Sequence, residues 1–321
     1  MTVIAQVVRS GFVECEHHGS LVVVDPGGSV IASVGEPERA MLPRSSNKPM
    51  QAAGMVRVGL DLPPALLAVA AASHAGEAMH VGRVERILEL AGLDEAALRC
   101  PAALPGDDAA RLDVVCSGGV PTARYMNCSG KHAAMLASCV VNGWPLDTYL
   151  DIDHPLQQSL AETVAELAGE KVAHIAVDGC GAPIFGLTLT GLARAFSRMV
   201  IADPGSPEGH VVAACRAHPL LVAGTNRPDG QLATSLPELF AKIGAEGVYA
   251  AALPDGRALA VRTNDGSTRS TQVVVAETLL ALGADSEVLR SQRAGTVLGR
   301  GHPVGQITAT TQVIAALHSL P

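Results

Sequence analysis

Aromatic residues are almost missing from this sequence: Trp, Tyr and Phe together make up 2% of its 321 positions. Stacking platforms for bases or flat cofactors are therefore scarce, and the core has to be packed from Ala, Val and Leu. Basic residues are also short, 23 Lys and Arg against 31 Asp and Glu, for a formal charge of -8. Nucleic-acid binding rests on clustered cations facing phosphates, so the composition argues against that class. No apolar run reaches the ~18 to 20 residues that a membrane span needs; the richest, at 62–76, is broken within about 15. Residues 1–10 hold one basic residue and no apolar segment ending in a small-residue cleavage site, so no secretion signal is read and a cytoplasmic location is expected. The seven cysteines, an odd number spread from Cys15 to Cys215, do not make the dense even framework of a secreted scaffold. Reduced thiols are expected, most of them small buried hydrophobes.

What the chain does have is material for a large core. Hydrophobic residues reach 48% and charged residues 17%, which argues against disorder and for one catalytic unit. The β-rich runs 3–8, 21–24 and 30–34, the last two joined by Asp25-Pro26-Gly27-Gly28, predict a strand and a hairpin. Helical spacing takes over from Asn47 and predicts helices near 48–58, 64–73, 80–91, 129–142 and 155–168. A second hairpin is expected from 248–253 and 258–262 around Pro254-Asp255-Gly256, followed by a helix over 271–282 and a final β-rich stretch, 304–313. Strands at both ends of a helical middle predict an α/β (α+β) fold, a mixed sheet built from both termini with an inserted helical subdomain. The expected boundaries are a sheet part of about 1–75 plus 235–321 and a helix-rich part of about 76–234.

Several short stretches carry chemistry. In Arg44-Ser45-Ser46-Asn47-Lys48-Pro49, where a loop enters a helix, positions three apart share a face, so the Lys48 amine can approach the Ser45 hydroxyl. Serine is a weak nucleophile until a base takes its proton. Lysine is such a base only as the neutral amine, which burial or a neighbouring cation favours. The plainer reading makes Ser45 or Ser46 a helix cap and Lys48 a solvated side chain. Ala72-Ser73-His74-Ala75-Gly76-Glu77 ends an Ala-rich helix and suits an active-site loop, although C-capping accounts for Gly76 without any function. Asn127-Cys128-Ser129-Gly130-Lys131-His132 opens a helix with Cys128 and Lys131 three apart. Asp178-Gly179-Cys180-Gly181-Ala182-Pro183 follows the apolar run 175–177 as a tight loop at a strand end. These two cysteines can hold zinc, with Lys131, His132 or water completing the shell, or can be structural thiols. The glycines beside Cys180 can also let backbone N–H groups converge on an oxyanion. Finally, Lys242-Ile243-Gly244 lies just ahead of a strand, completing the order Ser-x-x-Lys, Ser, Lys-x-Gly used by serine β-lactamase-like sites.

With these stretches assembled, the sequence resembles the asparaginase family of the thermolabile rhizobial type. The matching segments are R-S-G-F-V-E at 9–14, R-S-S-N-K-P-M-Q at 44–51, A-S-H-A-G-E at 72–77, N-C-S-G-K-H at 127–132, D-G-C-G-A-P at 178–183 and K-I-G-A-E-G at 242–247. The resemblance implies a serine β-lactamase/glutaminase-like fold, a homodimer, and hydrolysis of L-asparagine to L-aspartate and ammonia. It also implies two Ser-Lys pairs, Ser45 with Lys48 and Ser73 with Lys242, and zinc held beside the active site by Cys128, Lys131 and Cys180. Two positions depart from the pattern. Asp229 stands where some relatives carry a further cysteine near the substrate, and Arg262 stands where many have lysine, a change read as belonging to the surface or the substrate rim.

Spacing and resemblance together give an expected mechanism. Neutral Lys48 takes the Ser45 proton as the hydroxyl attacks the amide carbon, an aspartyl ester forms, and Ser73 with Lys242 relays the proton to departing ammonia and helps activate water. Lys242 is expected to be the cation that depresses Lys48. Arg44 is the candidate for the substrate carboxylate and Asp178 for its ammonium, with His132 as a third substrate-binding residue. The alternatives are a glutaminase or related serine acyl enzyme and, from another class, a metal-holding amino-acid sensor built on Cys128 and Cys180. Ammonia release from an amide separates the enzymes from the sensor.

Overall fold

The computed structural model describes residues 2–320. Its strands are β1 (Thr2–Arg9), β2 (Phe12–Val24), β3 (Val30–Val34), β4 (Ala40–Met41), β5 (His174–Val177), β6 (Pro183–Thr188), β7 (Phe240–Ile243), β8 (Val248–Ala252), β9 (Ala258–Thr263), β10 (Ala294–Gly299) and β11 (His302–Ala309). The helices that frame the site are α1 (Lys48–Arg57), α2 (Pro64–Ala70), α3 (Ala78–Leu90), α4 (Asp108–Cys116), α5 (Ser129–Asn142), α6 (Pro155–Ala168) and α7 (Leu189–Ile201). An eight-stranded sheet runs in the order β10-β11-β1-β2-β9-β8-β7, with β3 paired to β2, and a small sheet runs β4-β6-β5. The main sheet thus draws its strands from both ends of the chain, as expected. Its ladders are antiparallel, a sharper result than the mixed sheet anticipated.

Side-chain alternation explains why this sheet occupies the middle of the molecule. Val22 and Val24 of β2, Ala250 and Ala252 of β8, and Ala258 and Ala260 of β9 pack into one core with the helices 48–217. Their neighbours Leu21, Val23, Tyr249, Ala251, Leu259 and Val261 pack into a second core with the helix Thr268–Ala281. Period-two strands buried on both faces are what a sheet covered by two layers requires. Alanine on the first face lets α7 lie close to the strands, where Phe196 meets Phe240 of β7 with ring centroids 5.0 Å apart.

The expected helices and hairpins recur within a few residues, with two differences. β2 begins at Phe12 rather than Leu21, because its first residues are exposed and show no burial pattern. The last β-rich stretch stops at Ala309; the Thr310 side chain then accepts from the Val313 amide and caps the helix Thr311–His318. β-branched residues alone do not separate strand from helix where a capping threonine intervenes. All seven cysteines are free. Among the described residues, no helix is long and apolar enough to cross a membrane.

A close helix crossing brings the Cys128 segment toward Ser73. Gly130 on α5 lies against Val69 of α2, and a Cβ there would overlap the Val69 carbonyl and Cγ1. Gly130→Ala is therefore expected to destabilise the protein by about 1–3 kcal/mol through overpacking. Gly82→Ala on α3, where a Cβ meets nothing within 4 Å, is expected to stabilise it by up to about 1 kcal/mol from helix propensity. Thermal unfolding of the two variants checks the opposite signs.

Candidate active site

Three elements meet at Ser73. Lys48 is the first residue of α1, a helix opened by Pro49, which suits the first turn because its missing N–H has no partner to lose there. Ser73 follows α2, held in its loop by its own amide donating to the Val222 carbonyl at 3.0 Å. Gly76 closes that loop at φ +76°, with the Pro105 Cα only 2.9 Å from where a Cβ would stand, so its role is a close approach rather than a helix cap. Lys242 lies on β7 and shares a face with Phe240, which belongs to the helical core; alternation thus turns its amine toward α1.

Lys48 Nζ donates to the Ala72 carbonyl at 2.6 Å and to Ser73 Oγ at 3.0 Å. Lys242 Nζ donates to Ser73 Oγ at 2.9 Å and to the Ile243 carbonyl at 2.9 Å. One hydroxyl thus joins both amines. Ser45 lies in the single turn Arg44–Asn47 just before α1, and neither lysine bonds to it. The sequence expectation paired Ser45 with Lys48; the geometry pairs Lys48 with Ser73. Lys242 is 2% exposed, and burial first, then the charge of Lys48, pulls its pKa down from 10.5 to about 7. The depressed amine is Lys242 itself, in place of the expected role as the cation acting on Lys48.

Beside this pair lie the two thiols. Lys131 Nζ donates to Cys180 Sγ at 3.3 Å, and Cys128 Sγ is 3.0 Å from Asn127 Oδ1. The Cys128 thiol is held well below its usual range by a bond from Cys180 and by Lys48 and Lys131, which overcome its burial. Burial works against charge on Lys131, but Cys180, Cys128 and Asp178 outweigh it and lift its pKa above the ordinary 10.5. The glycine amides do not form an open oxyanion cradle as expected: Gly179 N donates to Asp178 Oδ1 at 2.9 Å and Gly181 N to the Asp178 carbonyl at 2.8 Å. Both amides are spent inside the turn.

The two charges proposed for substrate are paired with each other, Arg44 Nε to Asp178 Oδ1 at 2.8 Å. Arg44 stands at φ +51°, a conformation uncommon outside glycine and concentrated at functional sites. It also meets Glu246 at 3.6 Å, a residue inside the K-I-G-A-E-G stretch that no spacing rule singled out. Arg44, Glu246 and Arg262 line a cleft of about 530 Å³ whose wall includes none of Ser45, Lys48, Ser73 and Lys242. His132 is fully buried. Its Nδ1 is 2.6 Å from the Tyr149 hydroxyl, while Nε2 has no partner. Burial, with Lys131 and Lys48 nearby, keeps the ring neutral. His74 is likewise neutral, mainly through burial; it accepts from Gly76 N at Nδ1 and therefore donates from Nε2 to Ser129 Oγ at 2.9 Å. Asp229 lies with Lys242 and Tyr249 around a small cavity.

The fold thus gathers a buried serine between two lysines, with two cysteines and an ion pair around it, and the family comparison supplies the class. The chain belongs to the L-asparaginase II family, whose model matches residues 5–309. It is an amidohydrolase, and its substrate is L-asparagine, released as aspartate and ammonia. No curated protein matches the sequence. Among solved structures, a β-lactamase from Mycobacterium bovis is 16% identical at a TM-score of 0.48, covering 82% of this chain and 94% of its own. A protein described as Mglu in its native form is 13% identical at a TM-score of 0.43, covering 86% of this chain and 62% of its own. Neither likeness carries an argument about chemistry.

Proposed function

We propose that asparagine is hydrolysed through an acyl-enzyme on Ser45, with Lys48, Ser73 and Lys242 as one proton-carrying chain. The observation that supports it is the Ser73 hydroxyl held between two buried amines, one of them with a pKa of about 7. Near neutral pH Lys242 is free to take a proton, and Ser73 can then donate to it instead of accepting. Lys48, one turn after Ser45 but bonded to Ala72 and Ser73 in the free protein, would turn its amine to the attacking hydroxyl and link it to this chain. As Ser45 Oγ bonds to the amide carbon, its proton passes along the chain to the leaving nitrogen and the C–N bond breaks. Water then loses a proton to the same chain and cleaves the ester. The Arg44–Asp178 pair offers opposite charges to the carboxylate and ammonium of the zwitterion.

A second reading makes Ser73 the nucleophile, because it alone is bonded to both lysines. Rapid-quench mass spectrometry with asparagine, followed by peptide mapping, separates the two. An aspartyl adduct on Ser45 supports the first reading, one on Ser73 transfers attack to it, and an adduct on neither serine rejects the acyl-enzyme. We also read the protein as a cytoplasmic homodimer, the dimer on its family resemblance and the compartment on its seven free cysteines.

Zinc is proposed at Cys128, Lys131 and Cys180. Two soft thiols and an amine suit the ion in kind, although among the described residues no group of three or more His, Cys, Asp or Glu is placed to hold a metal. Bound there, it would fix the two sulfurs in the pocket wall and not act as the electrophile. Purified protein is expected to carry zinc that Cys128→Ser or Cys180→Ser removes. Because Lys131 is held protonated, occupancy should rise with pH as that amine loses its proton. Elemental analysis after zinc supplementation checks it; no metal would return both cysteines to shaping the pocket.

A further inference from the structure

β2 carries a second nucleophile–base arrangement that shares no residue with the lysine site. Cys15 and His17 are two apart on the strand, so their side chains leave the same face. Cys15 Sγ lies 3.9 Å from His17 Nε2, and His17 Nδ1 lies 2.6 Å from Asp265 Oδ2. A carboxylate can only accept, so Nδ1 carries the ring hydrogen and Nε2 turns its lone pair to the thiol.

The carboxylate is itself fixed. Asp265 Oδ1 accepts from the Ser267 amide at 3.0 Å, and Ser267 caps the helix Thr268–Ala281. Burial opposes its charge, but the Ser267 amide and His17 hold its pKa below the usual carboxylate range. His17 is buried while Cys15 is exposed. The β1–β2 register slips beside it, with Val7 facing Cys15 and Val8 facing Val13, so Glu14 is an extra residue. Such a bulge redirects neighbouring side chains. Nucleophile, base and orienting carboxylate stand in the sequence of contacts that activates thiols in cysteine enzymes.

We propose that Cys15 is an activated thiol and a site of covalent modification by low-molecular-weight disulfides, with His17 as its base and Asp265 as the residue positioning that base. His17 Nε2 takes the thiol proton and the Cys15 sulfur bonds to one sulfur of the incoming disulfide. The S–S bond breaks, and the departing thiolate recovers the proton from the imidazolium. Cys15 is oxidised to a mixed disulfide, one half of the reagent is reduced to a free thiol, and nothing else is consumed.

Cys116, the other exposed cysteine, makes no hydrogen bond to a histidine and serves as the internal control. The test uses the full chain and oxidised glutathione, with time-resolved peptide mass spectrometry reading each cysteine. Cys15 should acquire the glutathionyl group at least about tenfold faster than Cys116. His17→Gln and Asp265→Asn should each slow Cys15 by about tenfold and leave Cys116 unchanged. Asp265 is half exposed, so Asp265→Asn decides the matter should His17→Gln fail to fold. A Cys15 rate equal to that of Cys116, or an unchanged rate in folded Asp265→Asn, overturns the proposal.

Discussion

Ser45→Ala and Lys48→Ala are each expected to lower kcat for asparagine by about 10³-fold or more, and the double variant to be little worse than the poorer single one. Groups that act as one unit lose most of their effect when the first is removed. In the proposed chain Lys48 is the link from Ser45, and in the structure it donates to Ser73 Oγ at 3.0 Å, so its loss breaks the chain at its middle. Ser45→Ala makes no change to the Lys48–Ser73–Lys242 contacts and should leave the fold intact. Ammonia release, with circular dichroism as the check on folding, measures both. Near wild-type turnover in Ser45→Ala would pass the nucleophile's role to Ser73.

A basic limb near neutrality is the second large effect. With Lys242 at about 7, kcat/KM should climb as pH rises through about 7 and level off above it, because the neutral amine is the active form. The charges that face Lys242 are Lys48 and Arg227, which lower its pKa, and Asp229 and Cys128, which raise it. Lys48→Met removes the largest of these, so what activity remains should rise only at a higher pH. A flat wild-type profile across this range, or a shift toward acid in Lys48→Met, would reject Lys242 as the proton acceptor.

The same residue links catalysis to stability. Its pKa in the folded protein, about 7, lies below the ordinary 10.5. Between those values the unfolded chain holds a proton that the native state lacks, so this contribution to stability grows as pH rises through the window and is lost as pH falls toward 7. Lys242→Met should therefore be nearly inactive and more stable than wild type near pH 7, by roughly 1–3 kcal/mol. The gain should shrink by about pH 10, as the pH nears the unfolded lysine's own pKa and the two states come to differ little in bound protons. Thermal unfolding at the two pH values tests it.

Most of the candidate site was readable one segment at a time. Pro49 at the start of α1, the glycines around Cys180 and the Ala-rich run before Ser73 are local punctuation, and local punctuation survives folding. Glu246 escaped notice because a lone acidic residue in a glycine-rich stretch has no spacing partner; only the turn that brings it within 3.6 Å of Arg44 gives it a role. Tyr149, which meets His132 at 2.6 Å, sits 17 residues away in a segment without any periodic signal.

Residue type and order alone were enough to specify the two hairpins, five of the seven framing helices, and the presence of two serines, two lysines and two cysteines available for chemistry; Asp108–Cys116 and Leu189–Ile201 were not among the expected helices. Which hydroxyl meets which amine was decided by packing. Ser73 is joined to Lys48 across 25 residues and to Lys242 across 169, distances at which helical spacing has nothing to say. The depressed pKa of Lys242 likewise arises from burial between β7 and the helical core. The pairing of Arg44 with Asp178, and the use of the Gly179 and Gly181 amides within one turn, follow from how the chain closes around that loop. Dielectric environment and contact between remote segments are properties of the assembled core, and no stretch of sequence contains them by itself.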